Sequence, residues 1–160
     1  MSSTLRLSLA ALAISLLSAG AQADVSNLNT SSLSQDTAPD TVTYVDFWAS
    51  WCKPCLKSFP WMNEMQARYA DKGLKIIAVN VDSEVDDANA FLQKNPPAFA
   101  VKFDAKGETA GEFSVKAMPS SYLFDREGQL ISSHLGFREA DREEYEMRIR
   151  AALGLEGEEK

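Results

Sequence analysis

The hydrophobic pattern turns from polar to apolar at Thr41. Thr41-Val42-Thr43-Tyr44-Val45-Asp46-Phe47 is rich in β-branched and aromatic residues and predicts a first strand over 42–47. Leu56, Phe59, Met62, Met65 and Tyr69 then recur at three- and four-residue steps, the apolar face of a helix that starts at the cysteines. Pro60 falls inside it and removes a backbone hydrogen bond, so a bend is expected over 56–60. Asp71-Lys72-Gly73 ends the helix, with Gly73 as a left-handed cap. Lys75–Val81 is nearly continuous apolar sequence, as for a central strand covered on both faces.

Asp82 and Ser83 are candidate caps for a helix over 84–94, with Val85, Ala88, Phe91 and Leu92 inward and Asn95-Pro96-Pro97 as its stop. Phe99–Phe103 predicts a short strand, Asp104–Gly107 a turn and Glu108–Phe113 a short helix. A strand over 121–125, a hairpin turn at Arg126-Glu127-Gly128, an antiparallel return over 129–137 and a helix over 139–153 complete the chain. The order β-α-β-α-β-α-β-β-α, without internal repeat, places the chain in the α/β class.

The residues before Thr41 change the picture. Arg6, an apolar run from Leu7 to Ala19 and the small pair in Ala21-Gln22-Ala23 form a secretory leader, so 1–23 is expected to be a cleaved signal peptide. An uncleaved N-terminal membrane anchor is the alternative, disfavoured because the run is short for a bilayer. No cysteine lies near the cleavage site, which excludes a lipoprotein. Residues 24–40 are polar and aperiodic and are expected to be a flexible lead-in. Ordered structure should then begin near Thr41, with one domain over 41–154 and an acidic tail over 155–160.

Without Arg6 the chain carries 15 basic and 23 acidic residues, a charge of −8. Nucleic acid and anionic lipid both select basic surfaces, so neither is an expected partner.

Both cysteines lie in Trp48-Ala49-Ser50-Trp51-Cys52-Lys53-Pro54-Cys55. A strand, a tight turn with Cys-x-x-Cys and a helix arrange a redox-active dithiol. In an exported protein a structural bridge is the competing reading, but a bridge across two residues removes little unfolded-chain entropy. A thiolate attacks a disulfide, and a helix N-terminus stabilises an anion, so Cys52 is the candidate nucleophile. Cys55, one turn further in, is the candidate resolving thiol. Pro54 is tolerated in the first turn. Lys53 either adds a cation near the sulfurs or is a solvated surface lysine.

Asp46 lies inside an apolar strand, six residues before Cys52. Buried, it would resist ionisation and could take the Cys55 proton. Strand alternation pairs it with Tyr44 on one face and leaves open whether that face is solvated. Met118-Pro119 precedes a strand, where a cis bond would expose backbone for pairing with an extended client segment. His134, the single histidine, reads as an exposed strand residue. Two cysteines and one histidine supply at most three metal ligands without a recognised spacing.

Val45–Cys55 resembles the active-site segment of the thioredoxin superfamily almost position by position. Pro60 resembles its helix proline, and Val115–Ser120 resembles its cis-proline segment. Phe-Trp-Ala-Ser-Trp-Cys, the added stretch over 84–103 and Tyr122–Ile131 ahead of Gly136 are most similar to the TlpA/ResA-like exported thiol–disulfide oxidoreductases. The resemblance implies a thioredoxin-like fold, with a central mixed β-sheet flanked by helices and an inserted helix–strand stretch near 84–103. It implies cis geometry at Pro119 and a buried acid at Asp46. Cys52, Cys55 and Asp46 are then the candidate catalytic residues, Trp51, Met118 and Pro119 the candidate substrate contacts, and Lys53 and Pro54 the residues tuning the thiols. No cofactor or metal is expected beyond the redox-active Cys52–Cys55 disulfide.

The resemblance further implies a periplasmic monomer that reduces disulfides of exported client proteins. A membrane thiol electron donor would keep it reduced, and some members of the subgroup serve cytochrome c maturation. Two departures stand out: the region where the family often has an N-terminal hairpin is short and polar, and no acidic residue follows Cys55 closely. A copper-handling thioredoxin-fold module is the alternative, disfavoured because such modules use a wider cysteine spacing and a positioned histidine. A peroxidase is disfavoured for lack of a Pro-x-x-x-Thr-x-x-Cys segment.

Overall fold

The computed structural model describes residues 26–157. The signal peptide read over 1–23 and the last three residues of the acidic tail lie outside the described residues.

The apolar segments assemble into one five-stranded mixed sheet of order β3-β2-β1-β4-β5. β1 (Val42–Trp48) pairs parallel with β2 (Leu74–Asn80), which pairs parallel with β3 (Ala100–Phe103). On its other side β1 meets β4 (Ser120–Phe124) antiparallel, and β4 meets β5 (Leu130–Leu135) antiparallel. The helices are α1 (Cys55–Tyr69), α2 (Val85–Lys94), α3 (Glu108–Glu112) and α4 (Arg142–Ala152). This is the thioredoxin-like arrangement expected from the sequence, including the helix–strand stretch formed by α2 and β3.

Strand alternation divides the core in two. Val42, Tyr44 and Trp48 of β1 pack with Phe59, Met62 and Met65 of α1, Phe91 of α2 and Ile149 of α4. Val45 and Phe47 face the other way, onto Ile77, Val79, Phe113 and Phe124. All seven residues of β1 are therefore buried. Gly73 closes the turn after α1 at φ 97°, a left-handed conformation that favours glycine. Gly128 takes a left-handed φ of 78°, and a Cβ there would sit 2.6 Å from the Asn29 side chain and displace it.

Several expectations require correction. The segment read as a flexible lead-in is anchored to the domain at Leu28, Ser31 and Leu33, while residues 38–40 stay exposed. Leu28 and Leu33 are fully buried in the second core, Leu28 opening a 3-10 turn at Leu28–Thr30 and Leu33 at the N-cap of a second at Ser34–Asp36. Asn27 bridges to Gln129, and the Leu28 N–H donates to the Gly128 carbonyl at 2.7 Å. Two leucines among polar residues have no period, which hid their burial. Val85 faces solvent, and Leu155, assigned to the tail, packs against the first core. Asp82 and Ser83 do not cap α2; Glu84 stands at its N-cap position without a side-chain cap, and Asp82 is engaged elsewhere.

Candidate active site

The chain leaves β1 at Trp48 and turns over Ala49–Pro54 before α1 begins at Cys55. Cys52 thus lies in the turn ahead of the helix rather than in its first turn. The Cys52 N–H donates to the Ala49 carbonyl, and the Cys55 N–H donates to the Cys52 carbonyl at 3.1 Å and to Cys52 Sγ at 3.3 Å. Cys52 and Cys55 form a disulfide with Cα atoms 5.3 Å apart. The Cys55 N–H at the start of α1 is shared between the Cys52 carbonyl and Cys52 Sγ, so it places a stabilising dipole on the sulfur that would carry charge. Cys55 is wholly enclosed, whereas Cys52 retains 4% exposure, the order required if the first attacks and the second resolves.

Around the sulfurs the structure gathers some predicted residues and leaves others outside. Trp51 projects into solvent at 68% exposure directly beside Cys52. Met118 packs against the cluster containing both cysteines, and the Met118–Pro119 peptide bond is cis. Pro119 is buried, and its carbonyl accepts from the Gly136 N–H at 2.7 Å, joining the loop to the end of β5. Pro54 is exposed and occupies the N-cap position of α1. The Lys53 side chain is exposed and enters no ion pair or hydrogen bond with the described residues, which fits the solvated alternative.

Asp46 resolves to the buried alternative, at 1% exposure. It lies on the β1 face that carries Tyr44 and Trp48, both in the cluster with Cys52 and Cys55. Oδ1 accepts from the Ser121 hydroxyl at 2.6 Å, and Oδ2 has no hydrogen-bond partner among the described residues. Burial pushes the carboxyl up to about 7 from its ordinary 3.8, and the Ser121 hydrogen bond offsets this only in part. Such a group can hold or release a proton near neutral pH, as a proton acceptor for a buried thiol must.

Sequence reasoning missed two supports of the site. Asp82, at the end of β2, is buried and accepts from the Ser50 N–H at 2.9 Å, the Ser50 hydroxyl at 3.0 Å and the Asn80 side-chain amide at 2.8 Å. It ties down the turn two residues ahead of Cys52. The available signal was an acid just past an apolar strand, where loops at the carboxyl ends of parallel strands build sites. Ser121 is the second. It faces Asp46 across β1–β4 and His134 across β4–β5, a row that only the strand register reveals. His134 is half-buried rather than exposed: its ring stacks on Tyr145 at 4.1 Å, and Nε2 lies 3.4 Å from the Tyr44 hydroxyl. Burial, aided by Arg148, pulls its pKa down to about 4. Among the described residues no group of three or more His, Cys, Asp or Glu is placed to hold a metal ion.

With this geometry in hand, the comparisons agree on the family. The Redoxin family model matches residues 18–149, and the chain belongs to that family. Within the thioredoxin superfamily it is a ResA/TlpA-like protein. It is 35% identical over 107 residues to the thiol-disulfide oxidoreductase ResA of Bacillus thuringiensis subsp. konkukian, a match covering 66% of this chain and 62% of that protein. The ResA of Bacillus cereus strain ZK / E33L is 34% identical over 93 residues, covering 58% of this chain and 54% of its own length. The chain thus spans less than two thirds of these curated relatives. A crystal structure assigned as a thiol:disulfide interchange protein DsbE from Chlorobium tepidum is 52% identical, with a TM-score of 0.73 over 76% of this chain and 85% of that one. StoA of Bacillus subtilis is 27% identical, with a TM-score of 0.59 over 68% of this chain and 83% of its own.

Proposed function

We propose that this protein is an exported thiol–disulfide oxidoreductase that reduces disulfides of client proteins in the periplasm. The observation that carries the reading is the Cys52–Cys55 disulfide at the start of α1, its less buried residue Cys52 next to the exposed Trp51. The reaction names carried by the ResA and DsbE relatives support it.

In the reduced enzyme the Cys52 thiolate attacks one sulfur of a client disulfide, forming a mixed disulfide and releasing the other client sulfur as a thiolate. Cys55 gives its proton to the Asp46 carboxylate. Its thiolate then attacks Cys52 Sγ, closing the Cys52–Cys55 disulfide and releasing the second client thiolate. Two electrons pass to the client. A membrane thiol donor returns them to the dithiol, and cytochrome c maturation is one setting that consumes such a reductant. Trp51 and Met118 present the apolar surface on which an extended client segment rests, and the protein acts as a monomer.

Insulin-disulfide reduction by the Cys52→Ser and Cys55→Ser variants tests the reading. Cys52→Ser is expected to abolish turnover, and Cys55→Ser to accumulate a covalent client adduct that a thiol reductant releases. Undiminished turnover by Cys52→Ser overturns it. Titrating the dithiol against glutathione tests the direction: a reduction potential well below that of glutathione is expected of a reductant.

A further inference from the structure

The disulfide-exchange reading asks Asp46 to accept a proton but leaves open what makes one of its oxygens available. The carboxyl is held from one side only. Ser121 donates to Oδ1 at 2.6 Å, in register directly across β1–β4, while Oδ2 stays buried and unpartnered. The other buried side-chain polar atoms without partners among the described residues are the indole nitrogens of Trp48 and Trp61, both in the cluster that contains the two cysteines. Ser121 is itself buried at 2% exposure and belongs to the strand that begins just after Met118-Pro119.

We propose that Ser121 is a positioning residue of the exchange reaction: its hydroxyl clamps Oδ1 of Asp46 and leaves Oδ2 as the atom that receives the Cys55 proton. This rests on the disulfide-exchange reading above.

A rotating, unclamped carboxyl would present either oxygen. A hydroxyl donor on one oxygen fixes the plane and favours the ionised form, because a hydrogen bond to a carboxylate is stronger than one to the neutral acid. The groups around Asp46 do not supply this. Tyr44, on the same strand, is buried and keeps its own proton: burial and the Asp46 charge raise its pKa, and the Ser121 hydroxyl, which also reaches it, lowers it only in part. The Cys52–Cys55 pair on the α1 side is neutral as a disulfide, and neutral again in the client mixed disulfide until Cys55 gives up its proton. His134 on β5 lies one strand beyond Ser121, held neutral against Tyr145 of α4, with Arg148, Glu144 and Asp141 of that helical segment acting on it rather than on Asp46. Ser121 is the one donor to the carboxyl among the described residues.

The test is the pH profile of single-turnover disulfide reduction by the full chain, in wild type, Ser121→Ala, Ser121→Thr and Asp46→Asn. Besides the inflection of the attacking Cys52 thiol, wild type is expected to show a second one that Asp46→Asn removes. Ser121→Ala is expected to move that inflection upward by about one pH unit, the size of one charge-assisted hydrogen bond. Ser121→Thr, which keeps the hydroxyl, is expected to restore it. An unmoved inflection in Ser121→Ala, or a shift that Ser121→Thr leaves in place, overturns the proposal. Survival of that second inflection in Asp46→Asn overturns the role given to Asp46, and only turnover by Cys52→Ser overturns the exchange reaction. Should Ser121→Ala fail to fold, the Ser121 hydroxyl proton in wild type is followed by NMR. It is expected to titrate together with turnover, and a resonance indifferent to that inflection also overturns the proposal.

Discussion

Asp82 holds Ser50 by both its backbone N–H and its hydroxyl, from the end of the neighbouring strand. Asn80 completes the cage and is held in turn, its side-chain oxygen accepting from the Asp82 N–H at 3.1 Å. The turn that carries Cys52 is therefore fixed to β2 and not only to its own strand and helix. Asp82→Ala leaves donors on half-buried Ser50 and buried Asn80 unpaired, at a cost of about 2 kcal/mol. Urea denaturation is expected to show that loss, and insulin reduction to fall severalfold as the turn loosens. Unchanged stability would mean that water replaces the carboxylate.

Asp46 makes stability depend on pH in a fixed direction. Its folded-state pKa of about 7 lies above its ordinary 3.8, so the folded chain binds the proton more tightly than the unfolded one. Stability then falls as pH rises through that interval and levels off above it. The full loss is roughly 4 kcal/mol. Asp46→Asn is expected to flatten this slope and to be the more stable form of the oxidised protein at pH 8. Denaturant midpoints measured from pH 5 to pH 8 check it.

His134 works against this trend. Its pKa of about 4 lies below the ordinary 6.5, so its contribution is complete above 6.5 and is lost as pH falls toward 4. His134→Gln is expected to remove that acid-side loss, steepening the net fall in stability with rising pH between those values. The same denaturation series reads the change in slope.

Leu33 is fully buried against the second core. Leu33→Ala is expected to destabilise the protein by about 2–4 kcal/mol, as for any large-to-small change in a packed core. A truly flexible lead-in would show no change. Thermal denaturation of the oxidised protein separates these outcomes.

Trp51 buries little and contacts solvent. Trp51→Ala is expected to leave stability within about 0.5 kcal/mol. For a protein client KM should rise, while reduction of a small disulfide changes less. Equal effects on both substrates would remove Trp51 from client binding.

The sequence by itself determined the dithiol, the strand–turn–helix around it and the order of the elements. Each rests on local physics: cysteine spacing, a helical apolar period over 56–69 and continuous apolar runs. The class of reaction was legible for the same reason, since Cys52 and Cys55 are neighbours in the chain. Alternation correctly put Tyr44 and Asp46 on one face of β1, yet could not say whether that face was wet. A central strand buries both faces, so period two carries no sign of which side water takes. Only the tertiary structure decided that Asp46 is buried with one oxygen held by Ser121, 75 residues away in sequence. The same holds for Asp82 on Ser50, 32 residues apart, and for Leu28 and Leu33 in the core. These relationships are set by which strands pair and in what register, and no local window of the chain contains both partners.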